Sequence, residues 1–176
     1  MNKTQQGIGR VPGANMAERN PKSVINRLLR SVDPSIRYKT RVDLLGESHD
    51  SPEIRRLQEQ IRVSPRVATL LSERAPDGHL PFHPYAKFYG AHWVLVALAD
   101  IGYPPGDEKL IPLRDQVLDW IASEEYETRL IRRMKEGPVR IHGSVDGNAI
   151  FAILSLGIGE ARLNVLVGHL LLNRPT

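Results

Sequence analysis

The 176-residue chain contains no cysteine. That excludes a disulfide framework, thiolate zinc sites, iron–sulfur clusters and a cysteine nucleophile. Long apolar runs are also missing. The best, Trp93 to Ala99, spans seven residues, against the roughly 20 that a bilayer-crossing helix requires. The first 20 residues lack the continuous apolar stretch of a secretory signal, so the expected compartment is the cytoplasm. Strand-like alternation is absent as well: the nearest candidate, Val139-Arg140-Ile141-His142, is too short. No Ser-His-Asp order, phosphate-cradling glycine loop or glycosidase-like carboxylate pair stands out. Gly7-Ile8-Gly9 follows no strand and is not a nucleotide fingerprint.

What is present suits one ordinary globular domain. With 41% hydrophobic and 25% charged residues, the chain is neither collagen-like nor wholly disordered. Its net charge of +4 is unevenly placed: residues 1–41 hold nine Lys/Arg against two acidic groups, and the remainder is net acidic. A basic arm of this kind binds nucleic acid or an anionic membrane surface, or is a solvated tail. The tail reading weighs more, because the charges are spread out and no aromatic residue precedes Tyr38. Residues 1–22, punctuated by Pro12-Gly13, are expected to form a flexible basic arm, and residues 23–176 a helical domain.

Helical periodicity begins at Ser23, with Val24, Ile25, Leu28 and Leu29 on one stripe that Asp33-Pro34 ends. Residues 43–52 read as a connection. Ser51-Pro52 and Ser64-Pro65 each pair a capping hydroxyl with a proline at the first helical position, opening helices to about Val63 and Arg74. Three prolines and a glycine make residues 75–88 a loop. A helix apolar on nearly every side is expected from about Tyr89 to Asp100, closed by Gly102. Asp107 caps a further helix carrying Leu110, Leu113, Val117, Trp120 and Ile121 on one face, and residues 123–137 read as amphipathic. Ile150 to Leu156, closed by Gly157, is a second densely apolar helix, and Arg162 to Leu172 a second amphipathic one. The expected fold class is all-α, built of antiparallel helical hairpins.

The last third echoes the middle. At an offset of 55, Leu95, Ala97, Leu98, Ile101 and Gly102 align with Ile150, Ala152, Ile153, Leu156 and Gly157. At 53, Lys109, Leu110, Leu113 and Val117-Leu118 align with Arg162, Leu163, Leu166 and Leu170-Leu171, the longer turn Tyr103-Pro104-Pro105-Gly106-Asp107 absorbing the slip. Each unit is a buried helix, a glycine-closed turn and an amphipathic helix. This layout, with Leu70-Leu71 followed by Asp77-Gly78, then Lys87-Phe88-Tyr89-Gly90-Ala91-His92-Trp93 leading to Gly102, and Gly147-Asn148-Ala149 leading to Leu156-Gly157, resembles the α/α-toroid superfamily. That superfamily holds squalene–hopene cyclases, terpene cyclases and protein prenyltransferase β subunits. Closer still is the resemblance to uncharacterised bacterial proteins with prenyltransferase-type repeats, over about residues 50–172.

The resemblance implies a scaffold and an isoprenoid-like ligand but carries over no catalytic residue. The Asp-x-Asp-Asp acid of protonating cyclases is absent, no cysteine completes the transferases' zinc set, and Asp77-Gly78 leads to His79-Leu80 instead of tryptophan. No cofactor is implied. A closed toroid of six hairpins at about 50 residues each exceeds this length, since stable repeat arrays need several units and a terminal cap. An incomplete toroid is therefore expected, with an apolar face at its C-terminal end open to self-association or a protein partner. The alternative function is a non-enzymatic helical-repeat interaction module.

The chemically densest stretch supplies the candidate ligand site: His83, Tyr85, Lys87, Tyr89, His92 and Trp93. Aromatics at a cavity mouth hold a flat apolar ligand or an isoprenoid cation. The competing and weightier reading makes Tyr89, Trp93 and Val96 a core stripe with the preceding loop packed on it. His79 and His83 have metal-ligand spacing only on a helix, which Pro81 and Pro84 forbid, so no metal is expected there. Asp146 reads as a helix cap.

Overall fold

The computed structural model describes residues 21–128 and 143–172, and among these every regular element is helical. The elements are α1 (Pro21–Leu29), α2 (Pro34–Lys39), α3 (Pro52–Arg62), α4 (Pro65–Leu70), α5 (Ala91–Asp100), α6 (Ile111–Ile121), α7 (Gly143–Ser155) and α8 (Leu163–Leu172). A short helical stretch over 124–128 follows α6. No helix among the described residues is long and apolar enough to cross a membrane. Most of the expected arm, the short strand candidate at 139–142 and the second half of the 123–137 helix lie outside the described residues.

Three helices begin by one device. Asp33, Ser51 and Ser64 sit in extended backbone, and their side-chain oxygens accept from Ser35 N (2.8 Å), Ile54 N (3.3 Å) and Val67 N (3.4 Å). A proline follows each of them in the first helical turn, where its missing N–H costs nothing. Asp33-Pro34 therefore starts α2 as well as separating it from α1. Beyond Lys39 that helix widens to π geometry over Thr40–Leu44, with Leu45 N donating to Thr40 O at 3.1 Å, so the connection expected at 43–52 begins later. Along α3, Ile54, Leu57 and Ile61 are buried on one face, the spacing that places an apolar stripe against a core.

The core is organised around α5, which packs against α4, α6 and α7. Val94, Leu95 and Leu98 are buried in it, as are Leu110, Leu113, Val117 and Ile121 beside α6, and Ala149, Ala152, Ile153 and Leu156 on α7. Each fully buried Leu or Ile contributes about 1.5–3 kcal/mol of apolar transfer, so this packing outweighs every surface ion pair.

The two units of the sequence repeat lie side by side. Gly102 and Gly157 both adopt the left-handed conformation (φ 82° and 63°) and close their helices with the same bonds. Tyr103 N donates to Leu98 O at 3.0 Å and Ile158 N to Ile153 O at 3.1 Å, each pair related by 55 residues. The two turns touch: Gly106 N donates to Leu156 O at 2.8 Å. At the other end, His92 near the start of α5 bonds Val145 near the start of α7. The helices are thus parallel neighbours, each followed by its own companion helix. On the second companion helix the burial pattern weakens outward: Leu118 is 2% exposed, its counterpart Leu171 55%. Arg162 clamps the start of α8 to α6 through Asp115 (2.6 Å) and Asp119 (2.5 Å) and also pairs with Glu160.

Several expected boundaries move for physical reasons. The fourth helix stops at Leu70. The fifth starts at Ala91 and not Tyr89, because Phe88 has a positive φ (72°) and Gly90 is the extended cap residue. The last densely apolar helix begins at Gly143, so Asp146 lies inside its first turn and is no N-terminal cap.

A Cβ at Gly102 would overlap the Tyr38 ring in addition to the left-handed backbone cost. Gly102→Ala is therefore expected to lower stability by about 3 kcal/mol or more in urea denaturation. In a Tyr38→Ala background the same substitution should cost only about 1–2 kcal/mol, the backbone share alone.

Candidate functional site

At the N-terminal end of α5 the loop from Leu71 to Gly90 folds back over the helix. Gln116 of α6 holds it from both sides: its Oε1 accepts from Leu80 N (3.2 Å), and its Nε2 donates to Leu80 O (2.8 Å) and Phe82 O (3.3 Å). Pro84 O accepts from His92 N at 3.1 Å, fastening the loop to the helix it precedes. Any Cβ at Gly90 would collide with the backbone of His83 and Pro84, so this close approach requires glycine.

Four of the six expected site residues meet here. Tyr85 stacks on Trp120 (centroids 5.5 Å apart, planes 20° apart) and contacts His92 at 5.2 Å and Trp93 at 5.6 Å. His83 meets Trp120 edge-on at 5.3 Å. The other two turn away: Lys87 and Tyr89 are exposed, Tyr89 by 65%. Tyr89 is therefore no part of a core stripe with Trp93 and Val96. His79 and His83 are also separate, pairing respectively with Asp77 (3.3 Å) and Glu125 (3.7 Å).

Three residues outside the expected set complete the cluster: Trp120, Tyr126 and Asp146. Trp120 meets Tyr126 edge-on at 4.9 Å, and the Tyr126 hydroxyl donates to Asp146 Oδ1 at 2.7 Å. Burial and the neighbouring carboxylate push the Tyr126 phenol well above its ordinary value, so it stays a donor. His92, 1% exposed, donates from Nε2 to Val145 O at 3.1 Å. Burial holds its imidazole below the usual 6.5, against the smaller opposing effects of the Val145 bond and the Asp146 charge. Its Nδ1 is buried without a hydrogen bond among the described residues, so a proton there would lack an acceptor. The rings lie against one another, and the His92–Val145 and Tyr126–Asp146 bonds tie α5, α7 and the stretch after α6 together, whereas the Trp93 and Trp120 Nε1 groups are buried without a hydrogen bond among the described residues. This is a packed knot.

A large open volume lies at the opposite end of α5. A cleft of about 1110 Å³ runs between α2, α3 and the C-terminal ends of α5 and α7, and none of the six expected residues lines it. One side is apolar: Ala99, Pro104, Pro105, Phe151 and Leu154. The other carries charge in pairs, Lys39 with Asp100 (2.8 Å), Arg55 with Asp50 (3.2 Å) and Arg62 with Glu59 (3.3 Å). Tyr38 OH and His49 Nδ1 are 3.2 Å apart at its edge. The Tyr103 hydroxyl donates to Asp107 at 2.6 Å. Burial raises its pKa and keeps it protonated. The Arg62 guanidinium lies 6.0 Å from the Tyr103 ring centroid. Charges already matched to one another leave the cleft suited to a ligand that is mainly apolar. The residues that build it are dispersed between Tyr38 and Ser155 and form no local pattern. Phe151 and Leu154 are exposed on α7, and nothing local in the sequence marks them as lining a cleft.

No family model, curated protein or solved structure matches the chain.

Because His92 is held neutral, the folded state takes up this proton at lower pH than the unfolded chain does. Its contribution to stability is complete above about pH 6.5 and is lost as pH falls through the depressed folded value. Thermal melts between pH 7.5 and 5 should show wild type losing more stability than His92→Gln, which keeps an amide donor for Val145 O but does not titrate. Tyr126→Phe should cost about 1.5–3 kcal/mol by withdrawing a donor from a buried carboxylate.

Proposed function

We propose that the chain is a prenyltransferase- and terpene-cyclase-like helical scaffold, part of an α/α-toroid-like array, that holds an apolar isoprenoid-like ligand in the cytoplasm and is not catalytic alone. The ligand lies in the cleft between α3 and the C-terminal ends of α5 and α7, not in the aromatic knot. The observation that carries this reading is the cleft itself, about 1110 Å³ with Phe151 and Leu154 exposed along its apolar side. Its volume is just above the roughly 300 to 1,000 Å³ of ligand sites, and the charged residues of its other wall are paired with one another, opposite the apolar side. The side-by-side 55-residue units support the toroid-like arrangement, and the resemblance of the repeat to isoprenoid enzymes supplies the ligand class.

Exposed Val165, Val167 and Leu171 on α8 favour a second reading, an interaction module that presents this face to a protein partner or another copy. Light scattering over a concentration series separates the two: a strict monomer removes self-association.

Calorimetric titration of the full chain with farnesol is expected to give saturable binding. Phe151→Asp/Leu154→Asp should weaken it at least tenfold, while Tyr89→Ser leaves it unchanged. Absence of saturable heat, or loss of binding in Tyr89→Ser with retention in the double variant, overturns the assignment to the cleft.

A further inference from the structure

Among the described residues, the charged wall of the cleft carries the cations Lys39, Arg55, Arg56 and Arg62 and the carboxylates Asp43, Asp50, Glu59 and Asp100. Each of these cations has a carboxylate of its own. To the three pairs given above, Arg56 adds a bond to Glu53 at 2.7 Å, and Lys39 has Asp43 at 3.9 Å besides Asp100. Arg62 Nε lacks a hydrogen bond among the described residues, but that atom is buried and the cleft does not present it. An anion that reached Lys39 or Arg62 would lie beside Asp100 or Glu59 as well, and like charges brought that close are strongly disfavoured. The ion pairs need not be strong for this, because the carboxylates repel an anion whether or not each pair stays closed. Where this wall meets the apolar one stands Tyr38. Its ring packs on Gly102, at the head of the turn that carries Pro104 and Pro105. Its hydroxyl lies 3.2 Å from His49 Nδ1, with Gln58 beside it. A phenol oxygen has one donor and two acceptor positions, so a third group can still bond it. Burial and the Asp43 charge raise its pKa, and the hydroxyl stays protonated.

We infer that the cleft selects an uncharged ligand: its apolar chain lies along Phe151 and Leu154, and its polar end, a hydroxyl or carbonyl oxygen, bonds the Tyr38 hydroxyl. Such selectivity rests on the cleft assignment proposed above and narrows its ligand class. Isoprenoid chains occur as free alcohols and as phosphate esters, and this cleft takes the alcohol. The division of labour is between two sets of residues. Tyr38 fixes where the polar end sits, and Asp50, Glu59 and Asp100 refuse a phosphate. A pure hydrocarbon is refused for a different reason. It would cover the phenol and leave its remaining hydrogen-bonding position without a partner, which a site built around a polar contact penalises.

The test is competition against radiolabelled farnesol on the full chain, with unlabelled farnesol, farnesyl diphosphate and the hydrocarbon farnesene as competitors. The diphosphate should bind at least tenfold more weakly than farnesol, and farnesene about fivefold more weakly. Glu59→Gln/Asp100→Asn should narrow the gap between alcohol and diphosphate about fivefold or more, a gain of binding that misfolding cannot imitate. Tyr38→Phe should abolish the advantage of farnesol over farnesene, whereas damage to the fold would weaken both alike. A diphosphate that competes as well as farnesol overturns the inference and leaves the cleft assignment standing. A gap that the double variant does not change has the same consequence. An advantage over farnesene that survives Tyr38→Phe places the polar end elsewhere and overturns it too. Absence of saturable farnesol binding removes the cleft assignment and this inference with it.

Discussion

Two parallel helices, α5 and α7, are held at both ends, and the rest of the molecule is arranged around that pairing. At their C-terminal ends the glycine turns meet, with the Gly106 amide donating to the last turn of α7. At their N-terminal ends the His92 imidazole reaches Val145. Between these points the contact is apolar and buried. Neither helix can shift along its axis without breaking one end bond and unpacking the side chains between. Because the pair is parallel, each helix needs a returning companion, and α6 and α8 provide it.

That pairing gives the two ends of the molecule different chemistry. Where the helices start, amide groups, aromatic rings and a buried carboxylate converge and a loop closes over them. The rings contact one another, and the His92–Val145 and Tyr126–Asp146 bonds join elements, while the indole N–H groups of Trp93 and Trp120 are buried without a hydrogen bond among the described residues. Where the helices end, the chain turns away on Pro104 and Pro105 and leaves room beside α3. The ion pairs on that side are mostly solvent-accessible and contribute little stability each. Their consequence is that the cleft presents little unbalanced charge to whatever enters it.

Recognition of helices and turns from the chain alone worked wherever the signal was local. The paired Ser-Pro starts, the glycine stops at Gly102 and Gly157 and the face of α6 depend on neighbours within a few residues, and the structure has each of them. Helix α2 was missed although Asp33-Pro34 carries the same device as the Ser-Pro starts, because its apolar stripe is short. Asp146 was misread for a different reason. An acidic residue before an apolar run has the composition of a cap, and only the Tyr126 hydroxyl twenty residues away shows that its carboxylate faces inward.

The candidate site shows the boundary between local and tertiary information most clearly. Chemical density along the chain drew attention to residues 83–93, and four of the six chosen do come together, packing on Trp120 away from the cleft. Lys87 and Tyr89 are exposed on either side of Phe88, which has a positive φ. By itself the sequence determined helices, their caps, their apolar faces and the existence of two like units, since these follow from side-chain spacing and backbone preference within one or two turns. Only the tertiary structure decided which residues share a wall, which charges neutralise each other and where space is left, because those depend on the relative placement of helices fifty residues apart.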